Sequence, residues 1–171
     1  MSAVLASVPA ASAAQQNHSG HAEGQSSQVK TLGQAEVDEF LAGAGMGMAR
    51  PAELNGFPGP RHVLDLADSL ALTPEQRTGV EEIFRRMQER ATSLGRQVVA
   101  AEGALDALFA AGAVEEAALS EHVRAVDALR SELRVVHLKA HLETKALLTM
   151  HQVHTYDRLR GYGGGHAHGG A

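Results

Sequence analysis

Across residues 74–110 the apolar side chains recur in steps of three and four: Val80, Ile83, Met87, Ala91, Leu94, Val98, Ala101, Leu105 and Leu108. Residues 115–148 repeat the pattern with Leu119, Val123, Val126, Leu129, Leu133, Val136, Ala140 and Leu147. Only a helix brings positions at that spacing onto one face. The link Ala111-Gly112-Ala113 is a short turn, so the two long helices are expected to lie antiparallel. Composition agrees: the chain is 44% hydrophobic but only 4% aromatic, with no Trp. Its apolar mass is Ala, Leu, Val and Met, and Ala and Leu are strong helix formers. So few rings argue against an aromatic-rich β-sandwich or a base-stacking surface.

The starts of two helices are written in capping chemistry. In Leu72-Thr73-Pro74-Glu75-Gln76 the Thr hydroxyl can accept the backbone N–H of Gln76. The Gln side chain can reach back to Thr73, and Pro74 suits the first helical position. Leu148, Thr149 and Gln152 repeat the spacing and start a last helix that runs to about Arg160 and stops at Gly161. A short helix over residues 62–70 precedes the first long one. Pro51 starts a single turn before it, and the spacing of Val37, Phe40 and Leu41 predicts another short helix over 34–41. The expected fold is all-α: a hooked four-helix hairpin, short-long-long-short, with disordered tails at both ends. Two helices of about 35 residues reach roughly 50 Å. A pair that long and thin cannot bury both seams alone, so a homodimer is expected.

Four stretches follow from this. Residues 1–14, MSAVLASVPAASAA, read as the remnant of a signal peptide whose start lies upstream, because Ala11-Ser12-Ala13 is a small-x-small cleavage pattern. Residues 15–47 read as a mostly disordered linker carrying one short helix. Residues 48–160 form the helical domain, and 161–171 a Gly/His-rich flexible tail. The protein is therefore expected in the periplasm, with no membrane insertion, since no run approaches the roughly 20 apolar residues that span a bilayer. Lys and Arg total 15 against 20 Asp and Glu, a formal charge of −5, so nucleic acid is not an expected partner.

The doubled Leu-Thr-x-x-Gln pattern, opening each half of an all-helical exported chain, resembles the Spy/CpxP family of periplasmic stress proteins. That family includes the heavy-metal-responsive branch related to CnrX and ZraP. The first copy matches fully, whereas the second keeps only Leu148, Thr149 and Gln152. The resemblance covers about residues 48–162. It implies a hooked protomer, an antiparallel dimer with a cradle-like concave face, and no enzymatic activity. A membrane-bound stress sensor is among the partners it suggests.

Ten histidines stand out in such a chain. His137 and His141 lie four apart on one helical face, about 6 Å apart at Cβ, so two imidazoles can grip one ion. Leu138 occupies the second position, which excludes the HExxH metalloprotease pattern, and no Glu-x-x-His pair exists for a di-iron centre. Folding the long helices at Gly112 sets position 141 opposite about position 84. Folding at Leu72-Thr73 sets His62 opposite about position 83. His62, His141 and the Glu81/Glu82 pair are thus expected on one level, a donor set suited to Zn, Ni, Co or Cu. The metal-sensing branch draws ligands from similar places, although no Met stands near His141 where that branch has a thioether. His151 and His154 offer a second pair at the start of the last helix. His18, His21, His166 and His168 offer auxiliary binding in the tails. His122 is too far along its helix to join His137. Met46 and Met48 lie in a Gly-rich break, where thioethers either pack or bind soft Cu(I).

Arg85, Arg86 and Arg90 make the first long helix basic. They read either as a solvated face paired with nearby Glu residues or as a surface that holds acidic or unfolded clients. With no Cys, no nucleophile motif and no phosphate-cradling Gly loop, an enzyme is not expected. The leading reading is a periplasmic protein that binds divalent transition metal in heavy-metal resistance or envelope stress. The alternative is an ATP-independent chaperone for unfolded proteins.

Overall fold

The computed structural model describes residues 29–162. Those residues hold six helices and no strand: α1 (Gln34–Leu41), α2 (Arg50–Glu53), α3 (Pro60–Asp65), α4 (Pro74–Ala110), α5 (Glu116–Leu147) and α6 (Met150–Leu159). Among the described residues no helix is long and apolar enough to cross a membrane. The two long helices begin and end within a residue or two of their sequence bounds. α3 is shorter than expected, because Leu66 already leaves helical geometry at φ −104°, ψ 13°. Turns then carry the chain to Ala71, which sits at φ +47° just before the Thr73 cap.

Partners along α4 and α5 run in opposite senses. Gln76 bonds the carbonyl of Leu147, Arg86 pairs with Glu143 and Arg90 with Glu132, and Glu102 pairs with Arg130 farther along. Both capping boxes form. Gln76 N–H donates to Thr73 Oγ1 at 3.2 Å and Gln152 N–H to Thr149 Oγ1 at 3.2 Å, while each Gln Oε1 accepts from its own Thr backbone N–H.

Two apolar clusters hold the helices together. One gathers Val29, Leu32, Val37 and Phe40 against Ala91, Leu94, Val98 and Leu133. The stretch expected as a linker up to residue 47 therefore contributes half of a core at its described end. Its polar composition hid this, because four apolar residues suffice when α1 lies flat on α4. Arg130 clamps the arrangement by reaching Glu102 at 2.7 Å and Glu36 at 3.5 Å while its guanidinium lies over the Phe40 ring. The second cluster joins Val63, Leu70, Val80 and Tyr156, with Leu72 and Leu148 packed against it. On α4, Phe84, Met87 and Gln88 fall between the two clusters, and that gap is where the histidines gather.

Candidate metal centre

α2 is one turn long and carries Glu53 at its end. The rigid Phe57-Pro58-Gly59-Pro60 connector then turns the chain so that His62, in the first turn of α3, comes back toward Glu53. His62 Nδ1–H donates to Glu53 Oε1 at 3.1 Å. Tyr156, fully buried on α6, donates its hydroxyl to both carboxylate oxygens at 2.9 and 2.8 Å. From α5, His141 Nδ1–H donates to the Phe57 carbonyl at 2.8 Å. Gly59 makes this closeness possible. A Cβ there would lie 2.8 Å from His141 Cε1 and 2.9 Å from Glu53 Oε1.

His137 stands one turn before His141 and is only 4% exposed. Its Nε2 is buried with no hydrogen-bond partner. Buried polar atoms are nearly always satisfied, so such an atom asks for an explanation. Two adjoining cavities of about 550 and 380 Å³ share Glu53, His62, His137 and His141 among their walls. A backbone carbonyl or a carboxylate that fixes one ring nitrogen as N–H leaves the other with its lone pair outward, the usual support of a metal-binding imidazole. His141 and His62 both have that support. Among the described residues, no three His, Asp or Glu side chains converge closely enough to enclose an ion.

The electrostatics hold the Glu53 carboxylate ionised and favour the neutral form of His137. Burial pushes the Glu53 carboxyl up, but hydrogen bonds from His62 and Tyr156 and the charge of His62 and His141 outweigh it, leaving it below the ordinary value. Burial, then the nearby charge of His141, pushes His137 below the ordinary imidazole value. Burial and the Glu53 charge push the Tyr156 phenol up, so it stays a donor.

A pH dependence of the metal-free protein follows from His137. In the unfolded chain an imidazole takes its proton near pH 6.5, whereas in the fold His137 does so at lower pH. Between those points the unfolded state binds more protons, so stability is full above that range and falls as pH drops through it. Thermal melts between pH 7.5 and about 5 should show a falling midpoint, and His137→Leu should flatten the fall. An equal slope in both proteins would mean that His137 is not buried neutral.

His62 and His141 lie on the expected level of α4, but Glu81 and Glu82 do not face them. Both are exposed, and Glu82 is taken by Arg85 at 2.7 Å. At that level α4 turns Phe84, Met87 and Gln88 toward the histidines, so the carboxylate comes from Glu53 instead. Nothing in the sequence pattern singled out Glu53 or Tyr156, because their partners are far away in the chain. His151 and His154 are exposed on α6, outside the cavity walls. His122 bonds the Ala118 carbonyl of its own helix. The three arginines are all paired: Arg85 with Glu82 and Glu89, Arg86 with Glu143, Arg90 with Glu132. Residues 1–14, His18, His21, His166 and His168 lie outside the described residues. Comparison with known proteins finds no family model, no curated protein and no solved structure that matches the chain.

Proposed function

We propose that this is a non-enzymatic, exported metal-binding protein of the Spy/CpxP kind, serving heavy-metal resistance or the envelope stress response from the periplasm. Its protomer is the hooked hairpin, paired as an antiparallel dimer. Transition-metal ions such as Zn, Cu, Ni or Co enter between α2, α3 and α5, with His137 and His141 as principal ligands and His62 and Glu53 beside them. The observation that carries this reading is His137, whose buried Nε2 has no hydrogen-bond partner and whose side chain walls two cavities together with two further imidazoles with supported Nδ1 atoms.

Calorimetric titration of chelator-stripped full-length protein tests it. Tight binding near one ion per protomer should disappear in the His137→Ala/His141→Ala variant, with circular dichroism confirming that its helices persist. Sites in the tails survive in that variant, so equal tight binding in both proteins would move the metal to the tails and end this reading.

A second reading rests on a different observation. Val135 and Leu142, seven apart on α5, are 49% and 55% exposed, and Met150 on α6 is 67% exposed. Such a stripe suits either the partner protomer or an unfolded client held by an ATP-independent chaperone. Suppression of client aggregation that ignores chelator and the histidine substitutions would favour the chaperone.

A further inference from the structure

Two methionines line the cavities that the histidines share. Met46 lines one of the two adjoining cavities and Met87 the other, and both cavities share His137 and His141. Met46 stands in the loop between α1 and α2 at φ +46°, a left-handed conformation that an ordinary side chain rarely adopts. Gly43 and Gly47 on either side are also left-handed, at φ +63° and +73°. The loop is thus wound tightly against the site, and a Cβ on Gly45 would lie 3.8 Å from His137 Nδ1. Met87 enters the adjoining cavity from α4, two turns before Leu94. Met48, by contrast, lines neither histidine cavity.

The donor chemistry then discriminates between ions. Zn(II) in a closed site takes four thiolate, imidazole or carboxylate ligands in a tetrahedron. Among the described residues no three His, Asp or Glu side chains converge to begin one. Soft thioethers select Cu(I), which also accepts few ligands and imidazole nitrogen. Two imidazoles four residues apart, with a thioether in each adjoining cavity, supply that set without Glu53, whose carboxylate is already held by Tyr156 and His62.

We propose that the cavity is a Cu(I) site, in which His137 and His141 supply nitrogen and Met46 and Met87 supply sulfur. This rests on the metal-binding reading above and names its cargo as copper in the reduced state. The α1–α2 loop thereby becomes a ligand-bearing strap.

The test uses full-length protein without oxygen, with Cu(I) partitioned against a chromogenic Cu(I) chelator and Zn(II) measured in parallel. Met46→Leu/Met87→Leu keeps volume and apolarity, so the fold should persist. Its Cu(I) affinity should fall at least about tenfold, as expected for loss of soft ligands, while Zn(II) affinity and the Met48→Leu control stay at the wild-type level. X-ray absorption of the wild-type Cu(I) form should show sulfur scatterers, a readout independent of any variant. Wild-type Cu(I) affinity in the double variant, or a copper shell of nitrogen and oxygen alone, overturns the thioether assignment and leaves histidine metal binding standing. Absence of any metal bound by the wild-type protein overturns both.

Discussion

Replacing Gly95 by Ala should lower the stability of the protein by about 2–3 kcal/mol and lift α1 from α4. α4 passes the end of α1 so closely at Gly95 that an added Cβ would fall inside the Phe40 carbonyl group. The obstacle is backbone on both sides, so no rotamer change relieves it. Two effects compete. Gly in a helix interior costs roughly 0.8–1 kcal/mol relative to Ala, which favours the substitution. Overpacking against rigid backbone costs typically 1–3 kcal/mol while α1 stays docked; if α1 detaches, that strain is relieved and exposing a buried Phe costs about 3 kcal/mol in its place. Phe40 is 1% exposed, and Val29, Leu32 and Val37 share its cluster, so the unfavourable side wins. Urea denaturation measures the loss, and limited proteolysis between α1 and α2 should quicken. Gly103→Ala and Gly79→Ala serve as opposite cases on the same helix. At Gly103 the nearest atom would be a Val29 methyl at 3.6 Å, an ordinary contact. At Gly79 it would be the movable end of Leu147. Both should leave stability unchanged or raise it. If Gly95→Ala behaves like these two, α1 does not dock where it is described.

That docking also explains what was legible in the sequence and what was not. The seams from Val80 to Leu108 and from Leu119 to Leu147 are local periodicities, and they marked α4 and α5 to within a residue or two. The two Thr-x-x-Gln caps are equally local, and both formed as written. The level of His62 and His141 followed from counting residues around two turns. The carboxylate did not, because such counting fixes height along a bundle but not the facing side of each helix. Glu81 and Glu82 sit at nearly the right height on the wrong side of α4. Glu53 lies in a helix of one turn, too short to show a period, and is placed by the prolines after it and by Tyr156 from the far end of the chain. Val29 and Leu32 stand among Gln, Ser and Gly, so composition spoke for a linker where tertiary packing made a core.

Substituting Gln152 should produce the second large effect, because the two capping boxes are locked to each other. Gln76 Nε2–H donates to Gln152 Oε1 at 3.0 Å, and Gln152 Nε2–H donates to Gln76 Oε1 at 2.9 Å. Each amide also bonds a helix-end or turn carbonyl: Gln76 that of Leu147 at 2.8 Å, Gln152 that of Leu70 at 3.2 Å. One residue type thus caps its own helix through Oε1 and ties the starts of α4 and α6 together through Nε2. Gln152 is 8% exposed and Leu70 3%, so removing Gln152 leaves the Leu70 carbonyl without its donor in a buried place. Gln152→Ala should therefore cost about 2–3 kcal/mol, combining a lost cap interaction with unsatisfied buried groups. Gln152→Glu separates the two roles. Glu serves as well as Gln at the third position of a capping box, but it has no amide N–H to give to Leu70 or Gln76. If the lock matters, Gln152→Glu should lose most of what Gln152→Ala loses. If only the cap matters, it should lose little. A double-mutant cycle with Gln76→Ala should show a coupling of about 1 kcal/mol or more, as for residues in one hydrogen-bond network. Additive losses would mean that the two boxes act as separate caps. α6 carries Tyr156, whose hydroxyl holds Glu53 from behind. Breaking the lock should therefore reach the histidine cavity as well, and chelator-stripped Gln152→Glu should bind metal more weakly than the wild-type protein at a pH where both remain folded.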